Sequence, residues 1–412
     1  MNNKKKNILV ILPWLPFPFT NGGNQAMYNG IASIKDKANV VVIYFDYNRD
    51  NHKVDRDRMV QMLGNVEIIP LIIFNRNSKI KFLGWLYNKL CSTFFTGNSD
   101  YLSERMLMPF RPLPQECIDF IRNLIVQQHI EIIQMEMIPT LPIVLSLPEN
   151  VKKVFVHHEI RYVFNELLLK NIGDTMYRQS NLTISKIIEL GLLKRCDAII
   201  TLSQSDKEKL VKEGLSEDKV HSSIAVVNSI SDGKIHIDNY NILTFVGAEK
   251  HVPNRVGIRW FLNNCWSKLL DEDKTYQLHI IGKWTDETIK EITSSYTGVK
   301  FLGYVDDLSK SIMDTIMIVP ITIGSGIRMK ILEAATCGIP FVSTEIGAEG
   351  LPFVDMINCF LANDPESFVE DVIKLKDINL RRRLAESSKI IVDKEYSMEA
   401  LCSNRMNIYN VV

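Results

Sequence analysis

Residues 320–351, PITIGSGIRMKILEAATCGIPFVSTEIGAEGL, leave the chain few folding options. They read as strand end, glycine turn, helix, glycine break and second strand. Ile316 to Pro320 is apolar and β-branched, which suits a buried strand. Gly324 and Gly326 bracket Ser325, a turn that lets backbone approach a ligand closely. A helix is expected from near Ile327 to about Cys337, stopped by Gly338 and Pro340. Arg328 and Lys330 then fall in its first turn, where the helix dipole disfavours cations by a few tenths of a kcal/mol. Two cations there imply an anion in front of them. Free backbone N–H groups, a helix N-terminus and two cations make a phosphate site. Two solvated cations are the competing reading, and a generic G-x-G turn does not separate the two. Glu333 tilts the balance, because a carboxylate one turn beyond the cations can accept sugar or ribose hydroxyls.

The segment resembles the donor-binding signature of the GT-B glycosyltransferases of retaining family 4. That signature carries two glutamates separated by seven residues. Glu333–Ala334 matches the second, Ser325 stands in place of the first, and Arg328 replaces a glycine. The pattern is closer to a subgroup signature, G-x-G-x-R-x-K-x-L-E-A ending in G-x-E-G-L. Gly324, Gly326, Arg328, Lys330, Leu332, Glu333, Ala334, Gly347, Glu349, Gly350 and Leu351 match it. Ser325 leaves the sugar contact of the missing glutamate without a residue.

At 412 residues the chain exceeds one ordinary core, so two domains are expected. Hydrophobic content of 46% and charged content of 23% are those of a globular protein. Forty-eight basic residues balance 48 acidic ones, which argues against a nucleic-acid binder relying on bulk charge. Seven cysteines lack C-x-x-C spacing and read as reduced thiols. The N-terminal MNNKKKNILVILPWLPFPF imitates a signal peptide, but Pro13, Pro16 and Pro18 interrupt its apolar run. Ile8–Leu12 is read as a first buried strand, and the protein is expected to be cytoplasmic.

Strand-like and helical stretches alternate throughout. Expected strands are 8–12, 40–45, 66–70, 130–134, 153–157, 198–202 and 221–227, then 242–246, 276–281, 299–302, 315–320, 340–343 and 358–361. Many are continuously apolar, as in parallel sheets covered on both faces. The expected class is α/β, a GT-B pair of Rossmann-like, doubly wound parallel-sheet domains facing a cleft. Polar residues 229–241 place the boundary: an acceptor-side domain over 1–230, a donor-binding domain over 231–394, and a terminal helix over 395–412. The resemblance implies that this helix packs back on the first domain. An ordinary capping helix of the second domain is the alternative.

Gly22 and Gly23 lie at a strand-to-helix junction and match the family's glycine loop near the donor diphosphate. The strand 153–157 ends in HHEIR. His157 and His158 point to opposite faces, and no third ligand is near enough for a metal site. Hydrogen-bonded histidines holding a loop are one reading. The resemblance implies that His158, followed by Glu159, sits by the donor sugar. Asp197 and Ser203 are read as turn and cap residues. Asn254 is read as a helix N-cap, with Arg255 in the first turn near phosphate. The loop Gly303, Tyr304, Val305 is where the resemblance places the nucleobase. Residues 76–95 mix Arg76, Lys79, Lys81 and Lys89 with Phe82, Leu83, Trp85, Leu86 and Tyr87. They fit a basic amphipathic helix resting peripherally on the inner face of a membrane, or, favoured, a core helix with a solvated face.

The resemblance thus implies a metal-independent hexosyltransferase using a nucleotide-sugar donor and a glycan or lipid-linked acceptor, without a cofactor and without nucleic acid. His158, Arg328, Lys330 and Glu333 would act on the reacting groups. Gly22, Gly23, Arg255, Gly303, Tyr304, Val305, Gly324, Ser325, Gly326, Glu349, Gly350 and Leu351 would hold the donor. A sugar-nucleotide epimerase of the same fold and a catalytically silent nucleotide-binding subunit are the other readings.

Overall fold

A computed structural model describes residues 5–47, 52–73, 101–228 and 233–412. The basic stretch 76–95 lies outside the described residues, as does the start of the polar boundary segment, 229–232.

Thirteen strands form two all-parallel sheets. The first holds β1 (Asn7–Leu12), β2 (Asn39–Asp46), β3 (Glu67–Ile72), β4 (Ile132–Glu136), β5 (Lys152–His157), β6 (Ala198–Thr201) and β7 (Val220–Ser222), in the order β3-β2-β1-β4-β5-β6-β7. The second holds β8 (Ile242–Val246), β9 (Gln277–Ile281), β10 (Val299–Gly303), β11 (Ile316–Val319), β12 (Phe341–Ser343) and β13 (Phe360–Leu361), in the order β10-β9-β8-β11-β12-β13. These are two Rossmann-like domains on the GT-B plan. In each, strand order reverses beside the first strand: between β1 and β4, and between β8 and β11. Ligands of doubly wound sheets sit beyond the carboxyl ends of the strands at such points.

The continuous apolar runs arise because both sheet faces are covered. Ile8, Val10 and Leu12 of β1 pack with Met27, Ile31 and Ile34 of the helix Gly22–Ile34 on one face. Leu9 and Ile11 pack with Ile121, Leu124 and Ile125 of the helix Gln115–Gln127 on the other. Each such buried side chain stabilises by roughly 1.5–3 kcal/mol. The terminal helix Met398–Val411 lies against the helix Gly22–Ile34 of the first domain. Among the described residues no helix is long and apolar enough to cross a membrane.

Boundaries differ from the sequence expectation by up to two residues at β3, β4 and β13 and by five at the end of β7. β4 is shifted two residues later, to Ile132–Glu136, because polar Gln134 and Glu136 stay in the ladder and are buried. β7 ends at Ser222; Ser223 N still donates to the Thr201 carbonyl at 2.8 Å, and 224–227 lie outside the strand.

Candidate functional site

The helix expected from Ile327 begins at Met329 and runs to Thr336. Arg328 is its N-cap, in extended conformation, not a first-turn residue. The delay follows from the turn before it, since Gly324 and Gly326 have φ of 122° and 77°, outside the helical region. Space requires glycine at Gly326 as well: a Cβ there would lie 2.3 Å from the carbonyl oxygen of His158, in the other domain. Ser325 Oγ donates to the Ile160 carbonyl at 3.0 Å, so the turn is clamped onto the loop after β5. Gly326→Ala is therefore expected to cost roughly 2–4 kcal/mol, from strain plus overlap. Gly303→Ala also has positive φ (70°) but open space around it, and should cost only about 1 kcal/mol. Thermal melts of the two variants separate strain from contact.

Arg328, Lys330 and Glu333 are all buried. Arg328 Nη1 donates to the carbonyls of Ser325 (2.7 Å) and Gly326, while its Nε and Nη2 are buried with no partner. Lys330 Nζ donates to Asn254 Oδ1 at 2.9 Å and lies 4.2 Å from the Phe245 ring centroid. Burial, aided by the neighbouring Arg328, pushes the Lys330 ammonium down to about 7. Glu333 Oε1 accepts from Gln25 Nε2 of the first domain at 2.7 Å. Burial pushes its carboxyl up to about 7, against the opposing pull of Gln25 and Lys330. The cluster faces the first domain at the β8/β11 reversal, with positive charge that no carboxylate touches among the described residues.

Asn254 does not cap its helix. His251 is the N-cap of Val252–Phe261, and Asn254 lies buried in the first turn. Its amide donates to Ala248 O at 3.1 Å and its carbonyl orients Lys330. Arg255 is exposed on that helix, and its charge acts on Glu249 instead of joining the buried cluster.

Gly22 and Gly23 open the helix Gly22–Ile34, with Asn21 as cap accepting from Asn24 N. Neither has positive φ. Close approach explains Gly22, where a Cβ would lie 2.5 Å from Met329 Cγ across the domain interface. Glu349 pairs with Lys209 of the first domain at 2.7 Å, Gly350 (φ 78°) sits against Ser203, and Leu351 is half-buried beside them. Gly303 ends β10, followed by exposed Tyr304 and half-buried Val305. That loop is accessible.

Both histidines of the HHEIR segment bind buried carboxylates. His157 Nε2 meets Glu189 Oε1 at 2.9 Å, and Glu189 also accepts the Arg161 and Tyr162 amides. That pair ties β5 to the helix Arg161–Ile172. His158 Nε2 meets Glu136 Oε2 at 2.5 Å. Glu136 was missed from sequence, since no motif marks it. The signal was its place at the end of the strand beside β1, where the sheet order reverses. Gln25, which holds Glu333 and accepts Asn228 N, was missed for the same reason. A cavity of about 400 Å³ lies beyond β1 and β2, lined by Trp14, Phe17, Asn24, Tyr47, His52 and Asp55 among others. Among the described residues no cluster of three His, Cys, Asp or Glu side chains is arranged to hold a metal ion.

Residues 240–377 match the family model described as glycosyl transferases group 1. A Klebsiella pneumoniae protein, "Uncharacterized 44.6 kDa protein in cps region", is 28% identical over 192 residues. The match covers 44% of this chain and about half, 49%, of that protein. TarM superposes with a TM-score of 0.73 at 12% identity, covering 99% of both chains. A point mutant of S. aureus TarM is solved with fondaparinux, α-GlcNAc-glycerol and UDP. Anabaena Alr3699/HepE in complex with UDP and glucose superposes with a TM-score of 0.67 at 12% identity, covering 98% of this chain and 100% of that one. These likenesses identify a two-domain GT-B protein whose second domain matches the glycosyl transferases group 1 family.

Proposed function

We propose that this chain is a retaining glycosyltransferase that moves a hexose from a nucleoside-diphosphate sugar to a glycan or lipid-linked acceptor, in bacterial surface polysaccharide synthesis. The observation that carries the proposal is Arg328, a buried guanidinium with Nε and Nη2 unpartnered, beside Lys330 at the interdomain face. A buried, unpaired charge is costly, and a diphosphate compensates it. The UDP held by TarM and HepE makes uridine diphosphate the first nucleotide to test. The cps-region relative supports the polysaccharide context.

In this mechanism the leaving diphosphate gains charge as the sugar–oxygen bond breaks. Arg328, Lys330 and the helix start at Met329 stabilise that charge, which a metal ion would otherwise do. Gly22, Gly23, Gly324 and Gly326 let the two domains' backbones close tightly around the phosphate position. Glu333 exchanges Gln25 for donor hydroxyls, so the Gln25–Glu333 and Ser325–Ile160 contacts open as the donor enters. His158 orients the sugar, Gly303–Val305 receive the base, and Glu349–Leu351 support the donor end of the cleft. Arg255 and the cavity at Trp14, Tyr47 and Asp55 serve outer phosphate and acceptor contacts. The leaving phosphate takes the acceptor proton on the same face, giving retention.

The silent-subunit reading has one supporting observation: the Ser325 hydroxyl is engaged with Ile160 and does not replace the family's first glutamate. Turnover decides. With nucleotide sugars, oligosaccharide acceptors and EDTA present, we expect nucleotide release coupled to an α-linked product from an α-linked donor. Arg328→Ala should lower that rate by about 10³-fold. An inverted product would overturn retention. Binding without release across donors and acceptors would support the silent subunit.

A further inference from the structure

The reading of His158 as a cleft residue leads to a polar chain that connects it to the helix Met398–Val411. On β4, Gln134 and Glu136 project to the same face, two residues apart. Tyr409 on the terminal helix donates its hydroxyl to Gln134 Oε1. Gln134 Nε2 donates to Glu136 Oε1 at 2.5 Å, and Glu136 Oε2 faces His158 Nε2. Gln134 and Tyr409 are fully buried, and the Glu136 side chain is 1% exposed. Lys6 Nζ holds the helix end by donating to the Tyr409 carbonyl.

Each link has one allowed polarity. Burial drives the Tyr409 phenol pKa upward, so it remains a donor. A donor on Gln134 Oε1 fixes the amide, which turns its NH₂ towards Glu136. A flipped amide would set two carbonyl-type acceptors against each other. A carboxylate oxygen accepts, so the proton between the two groups sits on His158 Nε2, which leaves Nδ1 as the other ring nitrogen. Arg405, one turn before Tyr409, is buried with Nε and Nη1 unpartnered, and its charge reaches Tyr409.

We propose that Tyr409, acting through Gln134, is a positioning residue that holds the Glu136 carboxylate against His158 Nε2 and so fixes the orientation of the imidazole. The terminal helix thereby becomes part of the site without touching substrate. The Tyr409 hydroxyl thereby fixes how the imidazole is presented to the cleft.

The test is long-range ¹H–¹⁵N NMR of the full chain, with the His158 signal assigned by its loss in His158→Asn. The wild type should show the Nε2–H pattern. Tyr409→Phe and Gln134→Leu should keep that pattern but move the His158 ring shifts as the Nε2–H···Glu136 bond loosens, and Glu136→Ala should abolish the preference. In transfer assays kcat should fall roughly 3–10-fold for Tyr409→Phe and about 100-fold for Glu136→Ala, with donor KM within twofold. An Nδ1–H pattern in the wild type overturns the proposal, and this needs no variant to fold. So does a Tyr409→Phe protein with unchanged His158 ring shifts and kcat. The spectra stand apart from turnover, so an inactive protein with the expected tautomer refutes the transferase reading and not this one.

Discussion

Lys330→Met is expected to raise the melting temperature at pH 6 while lowering transfer activity by about 10²–10³-fold. The Lys330 ammonium ordinarily titrates at 10.5 and in the folded chain at about 7. A lowered lysine means that the unfolded chain binds the proton more tightly. The resulting destabilisation begins as pH falls below 10.5 and is complete below about 7. Methionine fills similar volume and carries no such cost. Against the gain stands Asn254 Oδ1, which loses its donor at about 1 kcal/mol. Removing the cation also leaves Glu333 harder to ionise, which weakens the variant above neutral pH. Both effects make the stability gain largest at pH 6 and smaller at pH 9. Each kcal/mol corresponds to about 2–4 °C in a domain of this size. A variant less stable than wild type at pH 6, or a difference independent of pH, would show that Lys330 is not held as an uncompensated charge.

Nucleoside diphosphate affinity should fall as pH rises above about 7, by up to tenfold per unit. Lys330 near 7 must regain its proton to pair with phosphate, so above that pH binding takes up a proton. Glu333, also near 7, becomes an anion facing the ligand over the same range. The ligand's terminal phosphate ionises with a pKa of about 6, so its own charge is complete there and does not offset the loss. Titration calorimetry in buffers of different ionisation enthalpy should report proton uptake at pH 8. Binding that is flat from pH 7 to 9, without uptake, would remove Lys330 from the phosphate site.

The same physics explains what the sequence disclosed. All thirteen strands were legible, because strands buried on both faces must be nearly pure β-branched or aliphatic runs. The exception was the end of β4, where Gln134 and Glu136 interrupt that pattern and extend the strand. Their burial is compensated by each other and by Tyr409 and His158, which lie far away in sequence. The G-x-G turn and the helix that carries Lys330 were legible in the sequence, but the burial of Arg328 and Lys330 was not. Depth depends on the first domain closing over them through Ser325 and Ile160. Asn254 fitted a cap by position alone, yet Lys330 is 76 residues away, and only the β8/β11 crossover brings the two together. Local chemistry was readable, and polar partners across the cleft were not.

The most direct measurement is titration of UDP, GDP and ADP into wild type and Arg328→Ala by calorimetry at pH 6.5 with EDTA. The buried-cation account predicts saturable binding of at least one nucleotide, indifferent to EDTA and weakened at least 100-fold in the variant. No binding by any of the three, binding that EDTA abolishes, or equal affinity in Arg328→Ala would contradict it.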